Sequence, residues 1–142
     1  MDVRFGIIGT GMMGCEHVSN LEALPGAALV ALADPDEGSR ARAADLAGSH
    51  VAVHHDHTSM LEAGGLDAVI VATPNHTHRA VLDDVWDSGL HIFVEKPLCT
   101  TVEDCLAVRD RALHHDGTFW VGLEYRYMPA VSQLLDRVRA GN

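Results

Sequence analysis

Short apolar runs alternate along the chain with longer stretches in which apolar residues recur every three or four positions. Residues 3–8 are an apolar run that ends in glycine, which predicts a buried strand. A helix is expected over 12–24, closed by Pro25-Gly26, then a strand over 28–33. The Ala- and Arg-rich stretch 37–47 reads as a helix with Gly48 as its stop. A short strand at 51–53 and a short helix at 58–63, ended by Gly64-Gly65, come next. The strand expected at 67–72 is halted by Thr73-Pro74, and Asn75 is expected to cap a helix that runs to Ser88 before Gly89. A strand at 91–94 leads into Glu95-Lys96-Pro97. Thr101-Val102-Glu103-Asp104 resembles a capping box for a helix reaching His115. A strand at 119–123 and a last helix from Pro129 to Ala140 complete the series.

Strands and helices that alternate with short loops imply a parallel sheet covered on both faces, and right-handed crossovers make it doubly wound. The expected fold class is therefore α/β, a doubly wound parallel sheet of the Rossmann type. The boundaries expected are 1–124 for a dinucleotide-binding domain and 125–142 for a connecting segment and helix. A chain of 142 residues fits one domain and needs no staples to build a core.

Twenty acidic residues against ten basic ones give a net charge of −10, which argues against a nucleic-acid or anionic-membrane surface. It does not argue against a phosphate ligand, which backbone N–H groups at a helix start can hold unaided. Three cysteines, Cys15, Cys99 and Cys105, form no regular framework and favour a reducing compartment. The N-terminal stretch is interrupted by Gly6, Gly9, Gly11 and Gly14, so neither a signal peptide nor a membrane span is expected, and a cytoplasmic location is the default.

Gly9-Thr10-Gly11-Met12-Met13-Gly14 matches G-x-G-x-x-G between an expected strand and an expected helix, the context that makes this pattern informative. Gly9 permits the tight turn, Gly11 lets a pyrophosphate approach the backbone, and Gly14 lets the helix pack on the sheet. Asp34 ends the second strand, twenty positions after Gly14. An acid there accepts hydrogen bonds from the adenosine ribose and repels a 2′-phosphate, so NAD is expected over NADP. Arg40 and Arg42 stand near enough to soften that discrimination, and Asp36 is the alternative cap of the following helix.

Three further segments match one family in order and spacing. They are Ala72-Thr73-Pro74-Asn75-His76-Thr77-His78, Glu95-Lys96-Pro97-Leu98, and Val121-Gly122-Leu123-Glu124-Tyr125-Arg126-Tyr127-Met128-Pro129. With the glycine motif and Asp34 they resemble the Gfo/Idh/MocA oxidoreductases, which include glucose–fructose oxidoreductase and inositol dehydrogenases. The resemblance covers almost the whole chain. It implies NAD(P)-dependent hydride transfer at a carbinol carbon of a sugar or polyol, and a cis bond before Pro97. It also implies a second, mixed α+β substrate domain that supplies a catalytic histidine. No part of these residues matches that domain, so the chain is expected to be the cofactor-binding portion, inactive alone. Its substrate domain would lie elsewhere, on a longer or a separate chain. The surface such a domain covers predicts self-association.

Lys96 is the expected catalytic group, placed where a partly desolvated ammonium can act on the reacting hydroxyl. Glu95 is expected to orient it or to contact the nicotinamide ribose. Cofactor contacts are expected from Gly9, Gly11, Met12, Met13, Gly14, Asp34, Thr73, Pro74, Asn75, His76, His78, Glu95 and Lys96. Arg126 is the substrate-side candidate; the plainer reading is an ion pair with Glu124 or Asp136, with Tyr125 and Tyr127 facing the other way on a strand. His54-His55-Asp56-His57 is the densest histidine cluster, but neighbours on a strand end point apart, so no metal is expected. Trp86 and Trp120 are expected in or near the core. The competing function is a non-catalytic dinucleotide-binding module that senses redox state or docks a partner.

Overall fold

The computed structural model describes residues 1–141, so Asn142, the last position of the connecting segment expected over 125–142, lies outside the described residues. Among the described residues six strands and six α-helices alternate: β1 (Val3–Ile8), α1 (Met12–Ala23), β2 (Ala27–Ala33), α2 (Glu37–Ala47), β3 (Ala52–His54), α3 (His57–Ala63), β4 (Ala68–Val71), α4 (His78–Val85), β5 (His91–Val94), α5 (Val102–Ala112), β6 (Phe119–Val121) and α6 (Pro129–Arg139). The strands form one all-parallel sheet in the order β3-β2-β1-β4-β5-β6. The chain starts in the middle, winds outward one way, then crosses back and winds the other. That reversal between β1 and β4 opens a crevice at the strands' carboxyl ends.

Both sheet faces are buried. Ile7, Leu29, Leu32 and Ile70 pack against Val18 and Leu21 of α1 and Ala43 and Ala47 of α2. Ile8, Val69, Val71, Ile92 and Val94 pack against Met60 of α3, Val81, Leu82 and Val85 of α4, and Val108 of α5. Burial of each Leu, Ile or Val stabilises the fold by about 1.5–3 kcal/mol. Strand β2 changes face midway. Phe5 pairs with Leu29, but Gly6 pairs with Ala31, so Val30 is an extra residue. This bulge lets Leu29 and Leu32 share one face while Ala31 and Ala33 share the other.

Helix starts follow the sequence reading where a short polar side chain is available. Asp36 accepts from the Ser39 N–H at 2.7 Å and caps α2. Thr101 accepts from the Asp104 N–H at 3.1 Å, and its hydroxyl donates to the Asp104 carboxylate at 2.8 Å. Asn75 does not cap α4. Pro74 keeps its carbonyl for the Thr77 N–H at 2.8 Å, which tightens 75–77 into a 3₁₀ turn, and α4 begins only at His78. Helix α5 stops at Ala112 rather than His115.

The strand expected to reach 123 ends at Val121, where the Leu123 N–H folds back on the Val121 carbonyl at 2.7 Å. Residues Glu124–Tyr127 form a 3₁₀ turn, so Tyr125, Arg126 and Tyr127 do not alternate across a strand. Trp86 is buried, but Trp120 is about half exposed on the edge strand β6, against Tyr127 with ring centroids 5.9 Å apart. Among the described residues no side chain of α6 is buried, and Tyr125, Tyr127, Leu134 and Val138 are exposed. No helix among them is long and apolar enough to cross a membrane.

Candidate functional site

A cavity of about 760 Å³ opens where β1, β2 and β4 end. Gly9, Gly11, Met12 and Met13 line one wall, and Thr73, Pro74, Thr77, Ala80 and Val81 another. Asp34, Pro35, Asp36, Ser39 and His57 complete it.

The three motif glycines differ in what requires them. Gly9 sits at φ +91°, and a Cβ there would meet the Thr73 nitrogen at 2.6 Å and the Ala72 carbonyl carbon at 2.7 Å. A Cβ on Gly14 would collide with the Gly9 carbonyl. These two are demanded by the protein's own packing. Gly11 is not: its backbone is extended, and an added Cβ would meet no atom within 4 Å. It is open where the cavity is open. Helix α1 starts just after Gly11, its N-cap, with no side-chain cap and no acidic residue in its first turn, unlike α2, α3 and α5, which Asp36, Asp56 and Thr101 cap. Its first N–H groups and positive dipole end therefore face the cleft unshielded. This cradle fits a pyrophosphate.

Asp34 is fixed by backbone donors. The Thr10 N–H reaches Oδ2 at 2.6 Å and the Asp36 N–H reaches Oδ1 at 2.8 Å. The carboxylate is aimed across the glycine loop, and it does not cap α2 because Asp36 does. Arg40 donates to the Asp34 and Pro35 carbonyls at 2.6 and 2.9 Å, and Arg42 to the Ser39 hydroxyl at 3.0 Å, so both guanidinium groups are engaged within the protein.

On the other side of the crevice, Pro74, Asn75 and His76 are exposed beside the partly buried Thr73, whose hydroxyl accepts from Thr77 at 2.9 Å. His78 is placed elsewhere than expected. It is fully buried, with Nε2 2.9 Å from the Thr73 carbonyl and Nδ1 3.1 and 3.2 Å from the Pro97 and Leu98 carbonyls. It braces two cleft loops from behind and has no surface for a ligand. The Lys96–Pro97 bond is cis.

Glu95 is also buried. Its Oε1 accepts from His17 Nε2 at 2.7 Å and its Oε2 from the Lys96 N–H at 3.2 Å. The carboxylate is turned inward toward the protein. Lys96 is about half exposed, so this domain alone does not desolvate its ammonium as the sequence reading supposes. Its Nζ lies 3.8 Å from the Glu124 carboxylate. Together Lys96, Pro97, Leu123, Glu124, Tyr125 and Arg126 line a second hollow of about 420 Å³. Arg126 forms neither expected ion pair: Glu124 is taken by Lys96, and Asp136 by Arg139 at 3.6 Å.

Sequence reasoning missed two contacts here. It paired Glu124 with Arg126, and the approach of Glu124 to Lys96 is hidden because only the 3₁₀ turn brings them together. His17 carried one usable signal: it is a polar residue three positions after Gly14, beside the buried stripe Gly14, Val18 and Leu21 of α1. Within the histidine cluster at 54–57, one side chain pairs outside the cluster and one with its own neighbour. His57 pairs with Asp84 at 2.8 Å and His55 with Asp56 at 2.7 Å.

Residues 3–123 match a family model described as an oxidoreductase family with an NAD-binding Rossmann fold, Gfo/Idh/MocA. The chain is 41% identical over 109 residues to inositol 2-dehydrogenase 1 of Saccharopolyspora erythraea, an alignment that covers 76% of this chain and 32% of that protein. It is 34% identical over 140 residues to the scyllo-inositol 2-dehydrogenase (NAD(+)) of Bacillus subtilis, covering 98% and 41%. It superposes with a TM-score of 0.92 and 34% identity on myo-inositol dehydrogenase from Lactobacillus casei, solved in complex with NAD(H) and myo-inositol, covering 99% of this chain and 42% of that one. The chain thus spans about two fifths or less of the length of these relatives.

Proposed function

The chain belongs to the Gfo/Idh/MocA oxidoreductase family, of which it is the NAD-binding Rossmann domain, and from that premise we propose that it holds NAD(H) for hydride exchange with a ring carbinol of an inositol-like polyol or a sugar. The observation that carries the reading is Gly11: no protein atom needs its missing side chain, and the space it leaves is the phosphate cradle. The uncapped N–H groups of α1 take the pyrophosphate. Asp34, held by the Thr10 and Asp36 N–H groups, accepts the adenosine ribose hydroxyls and repels a 2′-phosphate, which favours NAD. Met12, Met13, Thr73, Pro74, Asn75 and His76 flank the dinucleotide. When bound, the nicotinamide supplies the hydride chemistry.

Lys96 moves the carbinol proton, with Glu124 3.8 Å away fixing the direction of its ammonium, and Arg126 faces the substrate across the second hollow. The relatives named for inositol support a polyol as the substrate class. Lys96 is open to solvent on this domain, so turnover requires further protein to close over it, and we expect none from these residues alone.

The test is a calorimetric titration of the chain with NADH and NADPH, repeated with Asp34→Asn. We expect saturable binding that is tighter for NADH, with the preference at least about tenfold weaker in the variant, since a charged hydrogen-bond acceptor is worth about 1.5–3 kcal/mol. Equal affinity for the two cofactors in the unaltered chain would remove Asp34 from this role. No binding of either by the folded chain would sink the reading altogether. Polyol-dependent NAD reduction by this chain alone would refute the requirement for further protein.

A further inference from the structure

We propose that His17 is a positioning residue. Through Glu95 it ties the helix that opens at the glycine loop to the backbone of Lys96, so one buried contact sets the cofactor-binding and proton-handling halves of the cleft relative to each other. The inference rests on the role of Lys96 proposed above.

His17 lies on α1, three residues beyond Gly14. Its ring stands edge-on to Phe93 of β5, with centroids 5.3 Å apart and planes at 72°. Nε2 is 2.7 Å from Glu95 Oε1, and the two side chains are only 14% and 11% exposed. A carboxylate only accepts, so this pairing puts the ring proton on Nε2. The second carboxylate oxygen receives the Lys96 N–H. Glu95 is thus held at both oxygens, once by α1 and once by the peptide whose residue carries the ammonium. Gly122, just past β6, keeps the space open: a Cβ there would meet the Phe93 ring at 2.9 Å and Glu95 Oε2 at 3.4 Å.

The direction of this contact is what separates positioning from simple filling. An apolar residue in place of His17 can occupy the same gap against Phe93, but it gives Glu95 nothing to bond. A buried carboxylate that loses its donor turns toward water. Water lies on the cleft side, where Lys96 is exposed, so the Lys96 peptide loses its acceptor at the same moment. Leucine at position 17 therefore keeps the packing and breaks the strut. Glutamine keeps a terminal N–H near the position of Nε2 and retains it.

The experiment uses the 142-residue chain and compares His17→Leu with His17→Gln. The readout is the solvent-exchange rate of the Lys96 amide by NMR, set against urea midpoints and NADH affinity. We expect His17→Leu to raise Lys96 exchange at least about fivefold beyond any change in global stability, the scale of one lost hydrogen bond. We expect His17→Gln to stay within about twofold of the unaltered chain. An unchanged Lys96 amide in His17→Leu overturns the proposal. So does a glutamine variant as perturbed as the leucine one, which reduces His17 to packing. The unaltered chain gives a second reading that needs no variant: the His17 nitrogen shifts must report a proton on Nε2, and an Nδ1–H tautomer overturns the pairing even where His17→Leu does not fold. NADH titration separates the two levels. A chain that fails to bind NADH but keeps the Lys96 amide response loses the function proposed above and keeps the strut. A chain that binds NADH with an indifferent Lys96 amide loses only the strut.

Discussion

Replacing Gly11 by alanine separates the demands of the ligand from those of the fold. The added Cβ meets no protein atom within 4 Å, and the backbone at φ −66°, ψ −160° is open to any residue. Loss of unfolded-state freedom stabilises such a substitution by about 0.4–1 kcal/mol. Gly11 is also the residue before α1, where alanine is a worse cap than glycine by a comparable amount. The two nearly cancel, so the urea midpoint should correspond to a change within about 1 kcal/mol. Affinity should behave differently. A methyl in the space we assign to phosphate acts as overpacking, which typically costs about 1–3 kcal/mol. Each 1.4 kcal/mol is about tenfold in Kd, so NADH should bind roughly 5- to 150-fold more weakly. Gly9→Ala is the contrasting control. With φ +91° and backbone atoms at 2.6 to 2.8 Å, it should lose about 3 kcal/mol or more of stability. The assay is urea denaturation beside NADH calorimetry on the same preparations. A Gly11→Ala chain that binds NADH within twofold of the original refutes the cradle. One that unfolds as readily as Gly9→Ala refutes the claim that only the ligand needs this glycine.

Two further outcomes concern stability. His78→Leu removes the buried ring whose nitrogens lie against the Thr73, Pro97 and Leu98 carbonyls, so the carbonyl to which its one N–H donates loses its partner, and should cost about 2 kcal/mol or more, read as a lower urea midpoint; a shift under about 0.5 kcal/mol would mean that water replaces the ring at no loss. Acid should destabilise the chain through Asp67 and Asp56, both held down to about 2 from 3.8, Asp67 chiefly by hydrogen bonds from the Arg4 side chain and Asp56 by the Ser59 N–H. A carboxylate lowered in the folded state contributes stability above its unfolded value, near pH 4, and loses it as pH falls toward 2. Urea midpoints followed from pH 6 to pH 2 should fall in that window, less steeply in Asp67→Asn, and equal slopes for the two chains would contradict the assignment.

The sequence made the framework legible because apolar periodicity and glycine stops are local signals. Helix α2 spans 37–47 as its Ala-rich stretch and Gly48 predict, and β1 and β5 end where their apolar runs do. Elements failed where a tertiary or edge effect decided them. Strand β6 has a neighbour on one side only, β5, so nothing holds residues 122 and 123 extended, and the chain turns into the 3₁₀ segment that carries Glu124 to Lys96. In the site, Gly9 and Gly14 were readable because steric rules are tied to spacing. The histidines were not, because His76 and His78 look alike in the sequence, yet one is exposed and the other is sealed behind the cleft. His17 and Glu95 are 78 residues apart, a distance no local pattern bridges.

The parallel arrangement of all six strands divides the molecule into two rims of unequal use. The loops to which we assign binding and proton transfer all leave a strand's carboxyl end. Four of the five return loops at the opposite rim turn on Gly26, Gly48, Gly64 with Gly65, and Gly89, all at positive φ, and the Arg4–Asp67 ion pair at 2.8 Å pins that side. A fluorophore or surface tether attached among the exposed residues of that far rim, such as His50 or Ser88, would leave the cleft free, so immobilised or labelled chains should report dinucleotide binding undisturbed.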